Sequence, residues 1–177
     1  RRREEIHHTA GISMYLIFSR KEVVDHIYGM MAKLLSESKI SYIKWDMNRS
    51  ITECYSSKLP ADRQGEVFHR YILGVYDLYE RLTNEFPEVL FESCSSGGGR
   101  FDPGMLYYAP QGWTSDDSDA IERLKIQYGT SMCYPLSSMG SHVSVVPNHQ
   151  VFRNTPLHTR ANVAYFGTLD TNWISTN

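Results

Sequence analysis

The sequence YIKWDMNR at residues 42–49 is the most informative stretch of the chain for its architecture. Residues 40–45 are apolar and β-branched enough to predict a strand, which then runs directly into charged and amide side chains. Because side chains alternate across a strand, Lys44 and Asp46 share one face, with Asn48 beside them if the backbone stays extended. Such a polar group is costly to bury in a core. It is typical of a site at the mouth of a parallel barrel or sheet, although a salt bridge that ends a buried strand is the alternative.

The composition is that of a soluble globular protein with one core. The chain has 177 residues, of which 41% are hydrophobic and 21% are charged. Its net charge of -2 gives no electrostatic reason to expect nucleic acid or an anionic membrane surface as a partner. No apolar stretch reaches the length of a transmembrane helix, so no membrane span is predicted.

The cysteines indicate a reducing compartment. Cys54, Cys94 and Cys133 make an odd number in a chain of this size, which favours free thiols and a cytoplasmic location over a disulfide framework. No pair has the spacing of zinc ligands, so no metal site is expected. No histidine is placed by the sequence to activate Cys94, which disfavours a nucleophilic role for its thiol.

Helical and extended patterns alternate along the chain. Residues 19–22 fit a capping box ahead of an apolar helix face, in which Met30 and Met31 are expected to fill the core. No hairpin signal separates the strands, so they are predicted to be parallel and joined by right-handed crossovers. Strands are predicted at about 12–18, 40–46, 89–94, 112–115 and 131–135; helices at about 19–36, 64–86, 104–108, 121–128 and 156–164; and a loop at 137–149.

The fold class that follows is α/β, as a partial (β/α)8 TIM barrel. The residues that suggest chemistry each come just after a strand, as at the C-terminal face of such a barrel or the switch point of an open sheet. At most five strands are visible after residue 40, whereas a complete barrel usually takes about 250 residues. The chain is therefore expected to supply roughly the C-terminal five strands with their helices.

Two carboxylates suggest glycoside hydrolysis. Asp46 and Asp116 follow two different strands, and this reaction needs one carboxylate at the anomeric carbon and another that donates and recovers a proton. Lys44 would keep Asp46 ionised, whereas Asp116 would need a raised pKa to act as the acid. The alternative for residues 116–119 is helix capping, which explains Ser118 and one aspartate but not three aspartates in four residues.

The glycine run at 97–99 lacks the residues of a phosphate-binding loop. It is expected to let the backbone approach a ligand closely. Arg100 and Asp102, which follow it, are expected to pair with each other or to support the site.

Four segments resemble the α-galactosidases of glycoside hydrolase family 36: YIKWDMNR at 42–49, ESCSSGGGRFD at 92–102, WTSDDSDAIER at 113–123 and PLSSMGSHVS at 135–144. The resemblance runs from about residue 19 to 168. It implies a retaining mechanism in which Asp46 is the nucleophile and Asp116 is the acid/base. By the same resemblance, residues that contact or line the galactose subsite are Lys44, Asn48, Cys94, Gly97 and Trp113, and those expected to support the site are Arg100, Asp102 and Asp117.

The implied activity is release of terminal α-linked galactose from sugars such as raffinose or melibiose. The family works without a metal or organic cofactor, and a homo-oligomer is expected for the full-length protein. A galactosyl transferase of the same fold and a non-catalytic sugar-binding half-barrel are the alternatives.

Two departures from the family concern the ends of the chain. The family's earlier Asp-Asp-Gly-Trp strand end is absent, and Ala10-Gly11-Ile12-Ser13 stands in place of its Gly-Arg-Asn-Gln. The expected division is a poorly defined segment at 1–18, a barrel portion at 19–168 and an altered or truncated end at 169–177. Because part of the galactose subsite is missing, the isolated chain is expected to have weak activity or none.

Overall fold

A computed structural model describes residues 18–48 and 54–169. The strand predicted at 12–18 lies outside these residues except for Phe18, and so does the end of the chain after residue 169. None of the helices in the described residues is long and apolar enough to cross a bilayer. The elements are α1 (Lys21–Glu37), β1 (Tyr42–Asp46), a 3-10 helix (Ala61–Glu66), α2 (Val67–Glu85), β2 (Leu90–Cys94), α3 (Pro103–Tyr108), β3 (Gln111–Gly112), α4 (Ala120–Ser131), a second 3-10 helix (Leu136–Ser138), β4 (Gly140–Ser141), α5 (Leu157–Ala164) and β5 (Thr168–Leu169).

Every strand pairing in the described residues is parallel. One sheet has the order β1-β2-β3, and a second pairs β4 with β5. A parallel bridge between Gly112 and Met139 joins the end of β3 to the segment just before β4. Helices separate most of the strands along the chain, as crossovers between parallel strands require. The predicted α/β fold with a parallel sheet is confirmed.

The core lies where α1 and α2 cover β1 and β2. On α2, Tyr71, Val75, Leu78 and Leu82 recur every three or four residues, and all are at most 4% exposed. They meet Phe91 of β2 in one hydrophobic cluster. Burial of each such side chain contributes about 1.5–3 kcal/mol, so this cluster fixes the sheet that carries the site.

Two predictions about α1 are wrong. The residue before the helix is Arg20 rather than Ser19, and its side chain makes no capping hydrogen bond. Glu22, which would close the capping box, is instead held by the Arg20 guanidinium at 2.6 Å. Met30 is 50% exposed rather than in the core, because the buried face of α1 carries residues such as Ile27 and Leu35.

The strand predicted at 131–135 is also wrong. The end of α4 continues into a turn, in which the carbonyl of Thr130 accepts hydrogen bonds from the backbone N–H groups of Cys133 and Tyr134. The strand next to it is β4, two residues long and inside the segment predicted as a loop. Apolar composition alone indicated a strand where the backbone closes a helix.

Candidate active site

The polar face of β1 meets a buried carboxylate from β2. Lys44 lies opposite Glu92 in the parallel register, and its Nζ is 3.2 Å from Glu92 Oε1. The sequence pointed to Asp46 as the partner of Lys44, and the ion pair is instead made across the strands. Facing residues on neighbouring strands come closer together than residues two apart on one strand, which explains the difference.

Glu92 is a residue of this site that the sequence analysis missed. Its side chain is 2% exposed, accepts a hydrogen bond from Gln111 Nε2 at 2.6 Å and another from the Tyr42 hydroxyl. A buried carboxylate requires such partners, and Lys44 supplies the opposite charge. The signal was present, since a glutamate in the middle of an apolar strand is unusual.

Asp46 ends β1 and is exposed to solvent. Asn48 donates from Nδ2 to Asp46 Oδ2 at 2.7 Å, and its Oδ1 accepts the backbone N–H of Ser96 at 2.7 Å. The predicted alternation is confirmed, because Ile43 and Met47 pack against the core on the other face. Asn48 thereby ties the Asp46 carboxylate to the loop that follows β2.

Cys94 lies directly opposite Asp46 in the sheet. Burial raises the pKa of its thiol to about 11, a hydrogen bond from the Gly97 backbone opposes this effect, and a hydrogen bond to the Asp46 carboxylate adds to it. A thiol with this pKa is protonated at neutral pH, so Cys94 is a neutral neighbour of Asp46 and not a nucleophile.

The glycine run brings the loop after β2 against the loop after β3. Ser96 and Gly97 have φ values of 47° and 79°, and a Cβ added at Gly97 would lie 2.5 Å from Ser115 Cα and 2.9 Å from Asp116 N. A Cβ added at Gly98 would lie 2.8 Å from the Thr114 carbonyl oxygen. The glycine run thus allows a close approach to the neighbouring loop, and it brings the backbone after Cys94 next to Asp116.

Asp116 opens onto a cavity of about 540 Å³. Its carboxylate is exposed, while its carbonyl accepts a hydrogen bond from Gln150 Nε2 at 3.0 Å. Of the residues predicted to act on substrate, three line this cavity: Lys44, Trp113 and Asp116. It is also lined by Ser118, His142 and His149, which the sequence analysis did not assign to a site.

The other aspartates of the run have structural partners. Asp119 is the N-cap of α4 and accepts the backbone N–H groups of Ile121 and Glu122, both at 3.2 Å. Asp117 Oδ1 accepts the backbone N–H of Asp119 at 3.0 Å. Capping therefore explains one aspartate, as predicted. It does not explain Ser118, whose Oγ accepts from Asn148 Nδ2 at 3.1 Å.

Arg100 and Asp102 hold the loop after β2 at two separate points. The Arg100 guanidinium donates to the Met47 carbonyl and to Ser95 Oγ. Asp102 caps α3 through the backbone N–H of Met105 at 2.9 Å and accepts from the Tyr76 hydroxyl at 3.1 Å. Both residues fit the supporting role that the sequence analysis considered for them.

Trp113 forms an aromatic wall of the cavity. Its ring stacks on His142 with centroids 4.4 Å apart, and Lys44 Nζ lies 4.5 Å from its centroid. Arg123 of α4 also lies over this ring at 4.4 Å. Burial lowers the pKa of Arg123 to about 10, and the charge of Asp117 opposes that shift. Arg123 belongs to one of the segments that resemble the family, but nothing in its spacing indicated this position.

Within residues 18–48 and 54–169, no three histidine, cysteine, aspartate or glutamate side chains are grouped so that they could hold a metal ion. The arrangement offers two carboxylates, Asp46 beside an amide and a thiol and Asp116 beside a cavity that Trp113 lines.

Comparisons with known proteins agree on one family. α-Galactosidase Mel36A of Lactobacillus acidophilus is 60% identical over 154 residues, which are 87% of this chain and 21% of the relative. The crystal structure of the α-galactosidase from Lactobacillus brevis matches with a TM-score of 0.85 at 60% identity, covering 87% of this chain and 21% of that chain. A structure of the α-galactosidase AgaA from Geobacillus stearothermophilus in complex with raffinose has a TM-score of 0.84 at 53% identity and covers 92% of this chain and 24% of that chain.

The chain spans 21% of the length of the first curated relatives that it matches. The family model described as melibiase matches residues 3–177, almost the whole chain. The chain belongs to the melibiase family.

Proposed function

We propose that this chain carries the catalytic carboxylates of a retaining α-galactosidase. The observation that carries the proposal is the contact between the two loops. Asp46 is tied through Asn48 to Ser96, and the adjacent Gly97 lies against the backbone of Asp116. Glycoside hydrolysis requires two carboxylates at one sugar, and this contact joins the loop that carries Asp116 to the loop to which Asp46 is tied.

The proposed roles are those that the resemblance to the family implies for each carboxylate. Asp46 attacks the anomeric carbon as the bond to the leaving sugar breaks, and Asp116 donates its proton to the departing oxygen. Water then attacks the galactosyl ester, Asp116 takes the proton of that water, and galactose leaves with its original anomeric configuration. Asp46 ends β1 and Asp116 lies in the loop after β3, and both strands are neighbours of β2. Retention needs the two carboxyl groups to lie about 5–5.5 Å apart.

The proposed substrates are α-galactosides such as raffinose and melibiose. The AgaA relative has been crystallised with raffinose and also with stachyose. Lys44 and His142 line the cavity beside Trp113, and such polar side chains suit the hydroxyl groups of a sugar. The cytoplasmic location expected from the free thiols belongs to the same proposal.

We also propose that residues 19–168 supply part of a (β/α)8 barrel, to which this sheet belongs. Three observations support this: the pairings are parallel, helices lie between most strands, and the Gly112–Met139 bridge gives a continuous order from β1 to β5. A polar cluster around Glu92 on the face opposite α1 and α2 is also what the interior of such a barrel would contain.

The test measures the anomeric configuration of azide products. Asp46→Ala and Asp116→Ala are made in the chain and in a graft, in which the aligned part of this chain replaces the matching 154 residues of Mel36A. With a nitrophenyl α-galactoside and azide, the Asp116 variant should form α-galactosyl azide by attack on the ester, and the Asp46 variant should form β-galactosyl azide by direct displacement.

Asp46→Asn should abolish turnover, and substantial residual activity would contradict the assignment of Asp46. The same azide configuration from both variants would contradict the division of roles. Product analysis with acceptor sugars separates hydrolysis from galactosyl transfer. Galactose binding without any hydrolysis in either protein would mean that the chain is a non-catalytic sugar-binding module.

A further inference from the structure

Arg123 is a buried arginine that binds only uncharged acceptors among the described residues. Its side chain projects from α4, and the residue is 4% exposed. Its guanidinium donates to the Ser115 carbonyl at 3.1 Å, to Thr114 Oγ1 at 3.0 Å and to the Gly140 carbonyl at 3.2 Å. A fourth hydrogen bond goes to Gln127 Oε1 at 3.2 Å.

Three of these acceptors belong to two segments whose neighbouring residues line the cavity. Thr114 and Ser115 link Trp113 to Asp116, whereas Gly140 belongs to β4. The same guanidinium lies over the Trp113 ring. One side chain therefore fixes the last carbonyl before Asp116 relative to the aromatic wall and to the next strand.

A helix-packing role alone would not need a cation here. A buried charge without a carboxylate in contact is costly, and an apolar side chain of similar length would pack against α4 at lower cost. The planar guanidinium instead offers several donors at fixed angles, which suits the holding of two backbone segments at once.

We infer that Arg123 is a positioning residue for Asp116, through its hydrogen bond to the carbonyl of Ser115. The inference rests on the proposed function and deepens it. Arg123 fixes the backbone from which the Asp116 carboxylate reaches the oxygen of the leaving group. Loss of the guanidinium group of Arg123 should impair proton donation by Asp116, while galactose binding remains.

The experiment compares two substrates whose leaving groups need different amounts of protonation. A nitrophenolate leaves with little help from an acid, whereas the glucose alkoxide of melibiose needs a proton. The ratio kcat/KM reports only the steps from free enzyme and substrate to formation of the galactosyl-enzyme. Arg123→Lys should lower kcat/KM for melibiose by about 10–100-fold and change kcat/KM for the nitrophenyl galactoside by less than about threefold. Its kcat for the nitrophenyl substrate should still fall, because Asp116 also activates the water in the second step.

Two further variants keep the test decisive. Thr114→Val removes one acceptor of Arg123 with little change of shape, and it should produce the same pattern with a smaller amplitude. Arg81→Lys is the matched control, since Arg81 also lies over an aromatic ring, Tyr28 at 3.7 Å, but in the packing of α1 against α2. It should leave both substrates unaffected.

The variants are compared in the full chain and in the graft described above. Equal losses of kcat/KM on both substrates would assign Arg123 a purely structural role and overturn the inference, as would unchanged kinetics in Arg123→Lys. Absence of turnover in both unaltered proteins would overturn the proposed function, and this inference with it.

Discussion

Gly97→Ala tests whether the loop after β2 sets the position of Asp116. The left-handed φ of 79° adds about 1–2 kcal/mol for a residue with a Cβ. The added atom would lie 2.5 Å from Ser115 Cα, and ordinary contact begins at 3.4 Å, so the neighbouring backbone must move by about 0.9 Å. The two nearest atoms, Ser115 Cα and Asp116 N, both belong to the backbone, so no flexible side chain can move aside. A displacement near 1 Å at a reacting group can lower the rate on the order of 100-fold.

The assay combines hydrolysis of a nitrophenyl galactoside with urea unfolding. We expect about 100-fold lower kcat and a loss of about 2–4 kcal/mol in the free energy of unfolding. Gly29→Ala is the matched control, because an added Cβ meets no atom within 4 Å there and alanine stabilises a helix interior by about 0.5–1 kcal/mol. Similar activity and similar unfolding midpoints in the two variants would refute the contact between the loops.

Three further predictions concern buried polar groups. Iodoacetamide at neutral pH should label exposed Cys133 and spare Cys94, because burial raises the pKa of the Cys94 thiol to about 11 and keeps it protonated below that pH. Equal labelling of the two cysteines in mass mapping would contradict this. Tyr79→Phe should leave the free energy of unfolding unchanged or raise it by about 1 kcal/mol, since the buried Tyr79 hydroxyl has no hydrogen-bond partner among the described residues. A clear loss of stability in urea unfolding would contradict this prediction. Asp119→Ala should destabilise the protein by about 1–2 kcal/mol and Asp119→Asn by much less, because asparagine also caps helices. Thermal unfolding measures both losses. Similar losses in the two variants would indicate that the ion pair with Arg153, and not the cap, is responsible.

The parts of the fold that the sequence predicts best are those governed by local periodicity. The helix predicted at about 64–86 is confirmed as α2, and the alternation in β1 placed Lys44 and Asp46 on the polar side. Glycines at positive φ and an aspartate before a helix also have local causes, so the turn at Gly97 and the cap at Asp119 follow from their residue types.

What the sequence did not reveal depends on contacts between distant segments. The pairing of Lys44 with Glu92 depends on the register between two strands, which the pattern of neither strand specifies. β4 has two residues, too few for any periodicity, and it exists because Gly140 and Ser141 pair with β5. The position of Arg123 over Trp113 needs α4 and β4 to be in place first.

The hydrophobic cluster described above is unevenly distributed along the chain. Its buried members lie between Phe18 and Ala109, whereas the described residues from Gln111 onward bury few apolar side chains and depend more on polar contacts such as those of Arg123. Local opening requires less free energy where fewer apolar contacts must be broken. Amide hydrogens in α4 and α5 should therefore exchange with deuterium sooner than those in α2 and β2. Asp46 and Asp116 therefore lie in parts of the chain that differ in their free energy of local opening. Moderate heating should inactivate the site before the rest of the chain unfolds.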